Sequence, residues 1–286
     1  MTKAARLRHL MASGEMVIAP GAYDCITAKL IERAGFPAVY MTGGGTSASL
    51  GYPDFGLTTL NEIADNAGRI ANAVDIPVIS DADNGYGNEL NAFRTVREFE
   101  QRGVAALHIE DQVFPKKCGH LDNKQVIPLD EYLAKIRAAA AARQNPDTVI
   151  IARTDSRAIL GFEEAVQRMN ESLAAGADVA FLEAPLSMEE TARIPREVNG
   201  LCLLNVVRRS KSPLLDLEEA KRMGYAIAIV PTVLWTHILG SCEKILRELR
   251  ETNVHPVTEG DLSVMEMFER GTIATWMERQ KRFGSS

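Results

Sequence analysis

The residues from Glu110 to His120 bring together side chains that can do acid–base and nucleophilic chemistry. Two acids, two lysines, one thiol and one imidazole occur within this stretch. It follows a short apolar run, residues 105–109, that predicts a buried strand. Glycine beside Cys118 lets the backbone bend, and the neighbouring cations predict a thiol with a lowered pKa, present as a reactive thiolate. The alternative is a solvated charged loop in which the cysteine is incidental.

Carboxylates also close other apolar runs of the chain. Asp81 and Asp83 follow one run, Glu110 ends another, and Glu183 follows a third. A set of oxygen ligands without cysteine or paired histidines suits Mg²⁺ or Mn²⁺ and not Zn²⁺. Because Mg²⁺ keeps several waters, we expect Asp83 to bind the ion directly and the other acids to bind it mostly through water. The alternative for Asp81 and Asp83 is that they cap the following helix.

Three further features carry candidate site residues. Arg153 ends another run, and its planar fork suits a substrate carboxylate; pairing with Glu183 alone is the structural alternative. The glycines Gly43–Gly45 would let backbone N–H groups approach an anion, unless they form a plain tight turn. His108 lies inside a strand run, which favours a core histidine. His120, in the loop beyond, is therefore the better catalytic candidate.

Short apolar runs alternate with amphipathic helical patterns along the chain. The runs predicted as strands are Met16–Ala19, Ala38–Thr42, Pro77–Asp81, Ala106–Ile109, Val149–Arg153, Val179–Leu182, Leu201–Asn205 and Ala226–Val230. The patterns predicted as helices are Asp24–Ala34, Thr59–Val74, Glu89–Arg102, Leu129–Arg143, Phe162–Ala175, Met188–Val198, Asp216–Met223 and Leu234–Glu251. Eight evenly spaced strand–helix units predict an α/β protein, a (β/α)8 TIM barrel over about residues 15–251. A doubly wound open sheet is the competing fold.

The predicted barrel places the strand-end residues together, because active sites of such barrels lie at the C-terminal ends of the strands. An extra helix from Thr2 to Ser13 precedes the barrel. A helical extension over about residues 260–286, helical from Leu262 to Arg282, follows it. No linker divides the chain, so we expect one domain spanning residues 1–286. Such a terminal helix packs on the barrel bottom or on a neighbouring subunit.

Composition excludes several classes of partner. The 286 residues, 46% hydrophobic and 24% charged, can bury one large core. A net charge of −6 argues against nucleic acid or a membrane surface as the partner. No apolar run reaches the length of a membrane span, and the N-terminus lacks the hydrophobic segment of a signal peptide. The cysteines, Cys25, Cys118, Cys202 and Cys242, form no CxxC pair, which is typical of reduced thiols in a cytoplasmic enzyme.

Six short stretches carry a family resemblance: Met41–Ser47, Asp81–Gly87, His108–Gln112, Lys116–His120, Ala152–Asp155 and Glu183–Ala184. Together they resemble the isocitrate lyase / phosphoenolpyruvate mutase superfamily. The Lys-Lys-Cys-Gly-His loop is similar to that of the lyase branch, which includes isocitrate, 2-methylisocitrate and 2,3-dimethylmalate lyases and the related oxaloacetate acetylhydrolases. The mutases and phosphonopyruvate hydrolases of the superfamily lack this cysteine.

The resemblance implies a reaction and a set of roles. It implies carbon–carbon cleavage of a 2-hydroxy dicarboxylate or tricarboxylate to a 2-oxo acid and a carboxylic acid, with Mg²⁺, or Mn²⁺ in its place, as cofactor. Cys118 is the implied general acid, on a loop that closes over the substrate, and Arg153, Lys117 and His120 are the cations that stabilise the carbanion. Tyr40 and a metal-bound water are the two candidates for accepting the hydroxyl proton. The metal-binding and substrate-binding residues implied are Asp81, Asp83, Glu110, Glu183, Thr42, Gly43, Gly44, Asp54, Arg153, Asn205, Ser212 and Arg208. The implied partners are the small-molecule substrate and other copies of the chain, in a homotetramer.

One stretch departs from the lyase pattern. Those lyases continue from the seventh-strand asparagine to an acid, whereas this chain has Asn205, two valines and then Arg208 and Arg209. We expect Arg208 to recognise a distal or differently placed substrate carboxylate. The alternative is that both arginines face the solvent. The competing functions are hydrolysis of oxaloacetate to oxalate and acetate, a phosphonate C–P mutase or hydrolase, and a metal-binding scaffold without catalysis.

Overall fold

The computed structural model describes residues 1–257 and 260–284. The chain forms two compact units, the first from Met1 to Leu234 and the second beginning at Trp235. The expectation of one domain over residues 1–286 stays a prediction, and residues 285–286 of the predicted extension lie outside the described residues. Across the described ranges, no helix is long and apolar enough to cross a lipid bilayer.

Eight parallel strands form a closed barrel in chain order, which confirms the predicted (β/α)8 fold. They are β1 (Val17–Ala22), β2 (Val39–Met41), β3 (Val78–Asp81), β4 (Ala106–Glu110), β5 (Val149–Thr154), β6 (Val179–Leu182), β7 (Leu201–Asn205) and β8 (Ile227–Val230). Pairing of β1 with β8, from Val17 opposite Ile227 to Pro20 opposite Val230, closes the ring. The strands are mostly buried apolar residues because helices cover the barrel outside and side chains fill it inside.

Helices connect the strands as the sequence predicts. In the first unit they are α1 (Lys3–Ala12), α2 (Cys25–Arg33), α3 (Gly43–Ser49), α4 (Leu60–Ala73), α5 (Glu89–Gln101), α6 (Leu129–Ala142), α7 (Arg157–Leu160), α8 (Phe162–Ala174), α9 (Met188–Glu197) and α10 (Leu217–Met223). Next comes α11 (Val233–Thr252), most of which belongs to the second unit with α12 (Val264–Glu269) and α13 (Ile273–Phe283). Capping boxes at Asp24, Thr59 and Asn88 satisfy the first backbone N–H groups of α2, α4 and α5.

The leading helix α1 seals one end of the barrel. Its Leu7 is fully buried in one apolar cluster with Ala38, Ala105 and Val149, which stand at the starts of strands. Burying a leucine side chain contributes about 1.5–3 kcal/mol, so this cluster fixes α1 at the N-terminal end. The opposite end, where the strands finish, is left for the polar residues of the site.

Two helices of the first unit were not predicted. Gly43–Gly45 was expected as a loop for an anion or as a tight turn, but these residues begin α3. The Thr42 Oγ1 atom accepts the Gly45 N–H at 3.3 Å and starts the helix despite the low helix propensity of glycine. The short helix α7 after β5 was also missed. In the second unit, the predicted helix from Leu262 to Arg282 is two helices, α12 and α13.

Candidate active site

Buried acids gather where the middle strands of the barrel end. Asp81 and Glu110 are the last residues of β3 and β4, Asp155 follows β5, and Glu183 follows β6. Asp83 lies two residues beyond Asp81, and none of the five is more than 5% exposed. Neighbouring strands carry them in register, since Asp81 lies opposite the residue two before Glu110, and Glu110 lies opposite Arg153. The strand ends therefore concentrate negative charge in one mouth.

Arg153 is the cation around which these acids are arranged. Its Nε lies 3.0 Å from Asp155 Oδ2 and 3.3 Å from Glu110 Oε2. Burial opposes the charge, but Asp155, Glu110, Glu183 and Asp81 keep the pKa of Arg153 well above its usual value. Pairing with Glu183 alone is therefore not what holds this side chain. Its predicted role as a clamp for a substrate carboxylate stays a prediction.

The acids differ in their protonation. Burial raises the pKa of Asp83 to about 6, with the nearby charges of Asp81 and Asp54 adding to the rise. Burial also acts on Asp81, but His108 when protonated, together with Lys116 and Arg153, outweighs it and lowers the pKa of Asp81 to about 2. The pKa of Glu110 is well above its usual value, chiefly because of burial. A further cation in the mouth would favour the charged form of each acid.

The donor set fits a hydrated Mg²⁺. Glu110 is 0% exposed, and neither of its carboxylate oxygens accepts a hydrogen bond within residues 1–257 and 260–284. No group of three or more His, Cys, Asp or Glu side chains in that part of the chain is close enough to hold a metal unaided. Mg²⁺ does not need such a group, because it takes one or two carboxylates and keeps water in its other positions. Glu110 lies among four other acids, with Oε2 3.3 Å from Arg153 Nε and Oε1 without a hydrogen-bond partner among the described residues, which is consistent with that coordination.

The lysine that faces the mouth is Lys116 and not Lys117. Lys116 Nζ lies 2.5 Å from Asp54 Oδ1 and 2.8 Å from Asp83 Oδ1, and its side chain is 4% exposed. Lys117 Nζ instead donates to the backbone carbonyl of Asn123 at 3.4 Å, in an exposed position. In this structure Lys117 does not face the mouth, and its expected role among the site cations stays a prediction. Sequence reasoning missed Lys116, although it did include its partner Asp54.

Cys118 lies in the same loop but does not carry the thiolate that its neighbours suggested. Burial raises the pKa of the Cys118 thiol to about 11, and the Asp54 carboxylate adds to the rise. The prediction of a lowered pKa is wrong because burial of the thiol outweighs the nearby cations. The Lys116 ammonium is turned toward Asp54 and Asp83. The Cys118 backbone N–H donates to the Asp54 carbonyl at 3.1 Å, which anchors the loop beside the mouth. A protonated thiol at this place suits a proton donor.

His108 and Tyr40 form a buried pair inside the barrel. The Tyr40 hydroxyl lies 2.9 Å from His108 Nε2. His108 Nδ1 lies 3.7 Å from Asp81 Oδ1 but has no hydrogen-bond partner among the described residues, so the expected core histidine is only half satisfied. Burial lowers the pKa of His108 to about 4 and raises the pKa of Tyr40 well above its usual value. Tyr40 is consequently a poor candidate for a base.

His120 meets the far side of the acid cluster. Its Nε2 lies 3.2 Å from Glu183 Oε1, and Asn205 Nδ2 lies 3.2 Å from both oxygens of the same carboxylate. Several buried polar atoms on the loops here lack a hydrogen-bond partner within the described ranges: Nδ1 of His120, Oδ1 of Asn205, Oγ of Ser212 and the hydroxyl of Tyr86. Such atoms are costly to bury unless a ligand or water satisfies them.

The start of α3 is packed against the acids. A Cβ at Gly43 would lie 2.4 Å from Asp81 Oδ2, so only glycine allows the helix to approach that carboxylate. A Cβ at Gly44 would lie 3.4 Å from Asp54 Oδ2, an ordinary contact. Thr42, which caps the helix, is buried beside them. The structure therefore brings Thr42, Gly43, Gly44 and Asp54 together, as the expected substrate residues require.

The loop after β7 does not turn its arginines into the site. Arg208 and Arg209 are both exposed, and Arg208 forms no hydrogen bond or ion pair within residues 1–257 and 260–284. This corresponds to the solvent-facing alternative, because a loop charge that lacks a buried partner is best hydrated at the surface. Recognition of a substrate carboxylate by Arg208 stays a prediction, and its exposed position favours the alternative. In the same loop, Lys211 pairs with the exposed Asp122.

Asp155, Lys124 and Tyr86 belong to the site but were not expected as site residues. Asp155 follows its strand directly, as the expected acids do, so its position was a usable signal. Tyr86 lies in the stretch that carries Asp81 and Asp83 and has positive φ, and only the three-dimensional path reveals its buried hydroxyl. Lys124 is a buried lysine in an otherwise polar segment, which gives no sequence signal.

Comparison with known proteins agrees with this geometry. Residues 7–250 match the phosphoenolpyruvate phosphomutase family. The chain is 48% identical over 233 residues to 2,3-dimethylmalate lyase of Eubacterium barkeri, covering 81% of each protein. It is 44% identical over 245 residues to 2-methylisocitrate lyase of Aeropyrum pernix, covering 86% of this chain and 79% of that protein.

Solved structures are similar over the whole chain. Oxaloacetate acetylhydrolase in complex with the inhibitor 3,3-difluorooxalacetate has a TM-score of 0.96 at 38% identity, covering 100% of this chain and 98% of that chain. Phosphonopyruvate hydrolase in complex with oxalate and Mg²⁺ has a TM-score of 0.89 at 29% identity, covering 100% of both chains.

Proposed function

This chain belongs to the phosphoenolpyruvate mutase/isocitrate lyase superfamily and is a carbon–carbon lyase, and we propose that it cleaves a 2-hydroxy dicarboxylate or tricarboxylate. The products would be a 2-oxo acid and a carboxylic acid. Two relatives named 2,3-dimethylmalate lyase and 2-methylisocitrate lyase, 48% and 44% identical, support substrates of that type.

The observation that carries this proposal is the set of buried polar atoms without partners at the strand ends. Oε1 of Glu110, Nδ1 of His120, Oδ1 of Asn205 and Oγ of Ser212 are buried and have no hydrogen-bond partner in the described part of the chain. A substrate with several carboxylate and hydroxyl oxygens, together with water, would supply the missing partners. An apolar ligand would leave these atoms unsatisfied.

The chain's own groups fit the two halves of the cleavage. When the bond between the carbinol carbon and its neighbour breaks, its electron pair leaves on the departing fragment, and the hydroxyl gives its proton to a water molecule in the mouth, the acceptor that remains once Tyr40 is set aside. Arg153 and His120 would stabilise the charge of the departing carbanion. Cys118, whose pKa is raised to about 11, holds the proton that converts the carbanion to a C–H group.

Asp81, Asp83, Glu110 and Glu183 would hold the Mg²⁺ ion, and Mn²⁺ would substitute for it. When bound, the ion polarises the substrate oxygen and makes the hydroxyl more acidic. The hydrolase relative solved with oxalate and Mg²⁺ supports a divalent ion in this mouth. We also propose the homotetramer, which sedimentation velocity would test.

Hydrolysis of oxaloacetate to oxalate and acetate is the second candidate. Its support is the TM-score of 0.96 to an oxaloacetate acetylhydrolase over the whole chain. A phosphonate mutase or hydrolase is a weaker candidate, because the cysteine loop of this chain resembles the lyase branch. A scaffold without catalysis would not require Cys118 beside the buried Arg153.

A substrate panel separates these functions. The wild-type chain, dialysed against EDTA and then supplied with Mg²⁺, is incubated with malate, 2-methylmalate, 2,3-dimethylmalate, 2-methylisocitrate and oxaloacetate. We expect a new 2-oxo acid from 2,3-dimethylmalate or 2-methylisocitrate and no activity before Mg²⁺ or Mn²⁺ is added. If oxaloacetate is the only compound of the five that is turned over, and oxalate is released from it, the chain is the hydrolase and not the lyase. Turnover of none of the five compounds would overturn both proposed functions. Full activity after EDTA dialysis would show that the reaction does not need the metal.

A further inference from the structure

Lys124 is a buried cation at the end of the loop that carries Cys118. Its side chain is 2% exposed, and Nζ donates to Asp155 Oδ1 at 2.6 Å. The same Nζ donates to the backbone carbonyl of Gly119, the residue after Cys118. One ammonium group therefore ties the loop to the end of strand β5.

Asp155 is shared between Lys124 and Arg153. Its Oδ2 accepts Arg153 Nε at 3.0 Å, while its Oδ1 accepts Lys124. The backbone N–H of Asp155 donates to Asp111 Oδ1 at 2.8 Å, so the backbone of this residue is fixed as well as its side chain. Because the carboxylate is fixed in this way, the positions of the two cations are coupled through it.

The loop backbone rests directly on the same groups. A Cβ at Gly119 would lie 2.6 Å from Arg153 Nη2 and 2.7 Å from Glu183 Oε1. The Gly119 backbone therefore packs on Arg153 and Glu183 with no room for a side chain. If the Gly119 carbonyl moved away, this contact would open and Cys118, its neighbour in the chain, would move with it.

A second ion pair on this loop is of a different kind. Lys211, in the loop after β7, pairs with Asp122, whose side chain is 82% exposed. Exposed ion pairs contribute little because water screens them and both side chains lose freedom. Lys124 and Asp155 are 2% and 0% exposed, so their interaction is screened far less. The buried pair is thus better suited to hold the loop in place.

We propose that Lys124 is a positioning residue that latches the Cys118 loop over the mouth and orients Arg153. It acts through the Gly119 carbonyl and the Asp155 carboxylate and does not itself contact the reacting atoms. The expected effect of Lys124 on kcat rests on the proposed function. The latch itself can be measured without any substrate.

The test is Lys124→Met, which keeps the length of the side chain and removes its charge and donors. Iodoacetamide labelling with peptide mass spectrometry gives the alkylation rate of Cys118, and Cys25 and Cys242 in the same molecule are internal references. We expect Cys118 to react about tenfold faster or more, the change in equilibrium that follows loss of one charge-assisted hydrogen bond. Hydrogen exchange should speed up in the loop amides and remain as in the wild type in the barrel strands.

Lys211→Met is the matched control, since it removes a lysine that also contacts this loop, and it should change both readouts by less than about twofold. In the panel assay, kcat should fall about tenfold or more in Lys124→Met and recover in part in Lys124→Arg. If Lys124→Met does not fold, Lys124→Gln replaces the buried charge by a neutral amide and leaves Asp155 with Arg153; it should still raise the alkylation rate of Cys118.

The latch is wrong if a folded variant keeps wild-type alkylation and exchange in the loop. It is also wrong if exchange rises equally throughout the barrel, because Lys124 would then only support global stability. If the wild type cleaves no dicarboxylate, the proposed function fails, while the alkylation and exchange results still decide for or against the latch.

Discussion

Lys116→Met offers a sharp test of the electrostatics of the mouth. In the wild type, the Lys116 ammonium lies 2.5 Å from Asp54 Oδ1 and 2.8 Å from Asp83 Oδ1. Lys116 therefore pairs with Asp83, the carboxylate that we propose as the direct ligand of Mg²⁺. Removing it should make the acids a better site for the divalent cation while making the metal-free protein less stable.

The structure sets the size of both effects. A cation that binds Asp83 must displace or weaken its bond to Lys116, and one charge-assisted hydrogen bond contributes roughly 1.5–3 kcal/mol. Since about 1.4 kcal/mol corresponds to tenfold in Kd, the variant should bind Mg²⁺ about 10- to 150-fold more tightly. Without metal, breaking the buried pair should lower the free energy of unfolding by about 3–5 kcal/mol near neutral pH. That loss should shrink as the pH falls, because Asp83, whose pKa is already raised to about 6, then takes up a proton.

The assay is isothermal titration of Mg²⁺ into EDTA-dialysed protein, with urea denaturation of the same samples. Lys29→Met is the matched control, because it removes a lysine that lies 2.9 Å from Glu32 on helix α2, outside the acid cluster. It should leave the Kd for Mg²⁺ within about twofold of the wild-type value. If Lys116→Met binds Mg²⁺ no more tightly than the wild type, Lys116 does not compete with the metal and the reasoning fails.

Three further predictions follow from the same structure. Cys118→Ala should lower kcat by about 10²- to 10⁴-fold while Mg²⁺-dependent substrate binding stays nearly unchanged, and a wild-type kcat would exclude this thiol as the general acid. Arg208→Glu should change KM by less than about twofold, since Arg208 is exposed; a tenfold rise would return it to the substrate. Burial lowers the pKa of His108 from 6.5 to about 4, so the unfolded chain takes up the proton at a higher pH than the folded chain does. The free energy of unfolding of the wild type should therefore fall by up to about 3 kcal/mol as the pH falls from 6.5 to 4. His108→Gln should remove this part of the pH dependence of urea denaturation; equal pH dependence in both proteins would contradict burial as the cause.

The barrel could be predicted because its physics is local and repeated. Parallel strands covered on both faces are continuous apolar runs, and each turn into the next strand needs a residue that ends the helix. Four glycines lie one or two residues after helix ends, and all adopt positive φ: Gly35, Gly103, Gly176 and Gly224. The same regularity identified the strand-end acids, because a charged residue at the end of an apolar run is directed to the mouth.

The helix α3 could not be predicted because tertiary contacts override helix propensity there. Three consecutive glycines disfavour a helix by roughly 1 kcal/mol each relative to alanine. Thr42 supplies the cap, and the approach of Gly43 to Asp81 leaves no space for a Cβ. The sequence therefore contains the reason for glycine at this position, but only the folded barrel reveals what the glycine approaches.

The Cys118 loop shows why closeness in sequence does not decide electrostatics. Lys116 and Lys117 are adjacent to each other and close to Cys118 in the chain, which suggested a thiolate. In the structure, Lys116 turns to Asp54 and Asp83, whereas Lys117 reaches the Asn123 carbonyl. Burial is then the main influence on the pKa of the Cys118 thiol, which rises where a fall was expected. Which of two neighbouring lysines is buried depends on the path of the backbone, and neither composition nor spacing reports it.

The central claim is that this mouth breaks a carbon–carbon bond of a 2-hydroxy dicarboxylate or tricarboxylate and that an exchangeable proton is returned to the departing carbon. It is tested most directly by following 2,3-dimethylmalate and 2-methylisocitrate with the wild-type chain and Mg²⁺ in D₂O by NMR. We predict equal amounts of a 2-oxo acid and a carboxylic acid from at least one substrate, with one deuterium on the former carbanion carbon. The deuterium comes from the Cys118 thiol, which exchanges with solvent. The claim would be contradicted if neither compound is cleaved, or if the carboxylic acid that forms carries no deuterium.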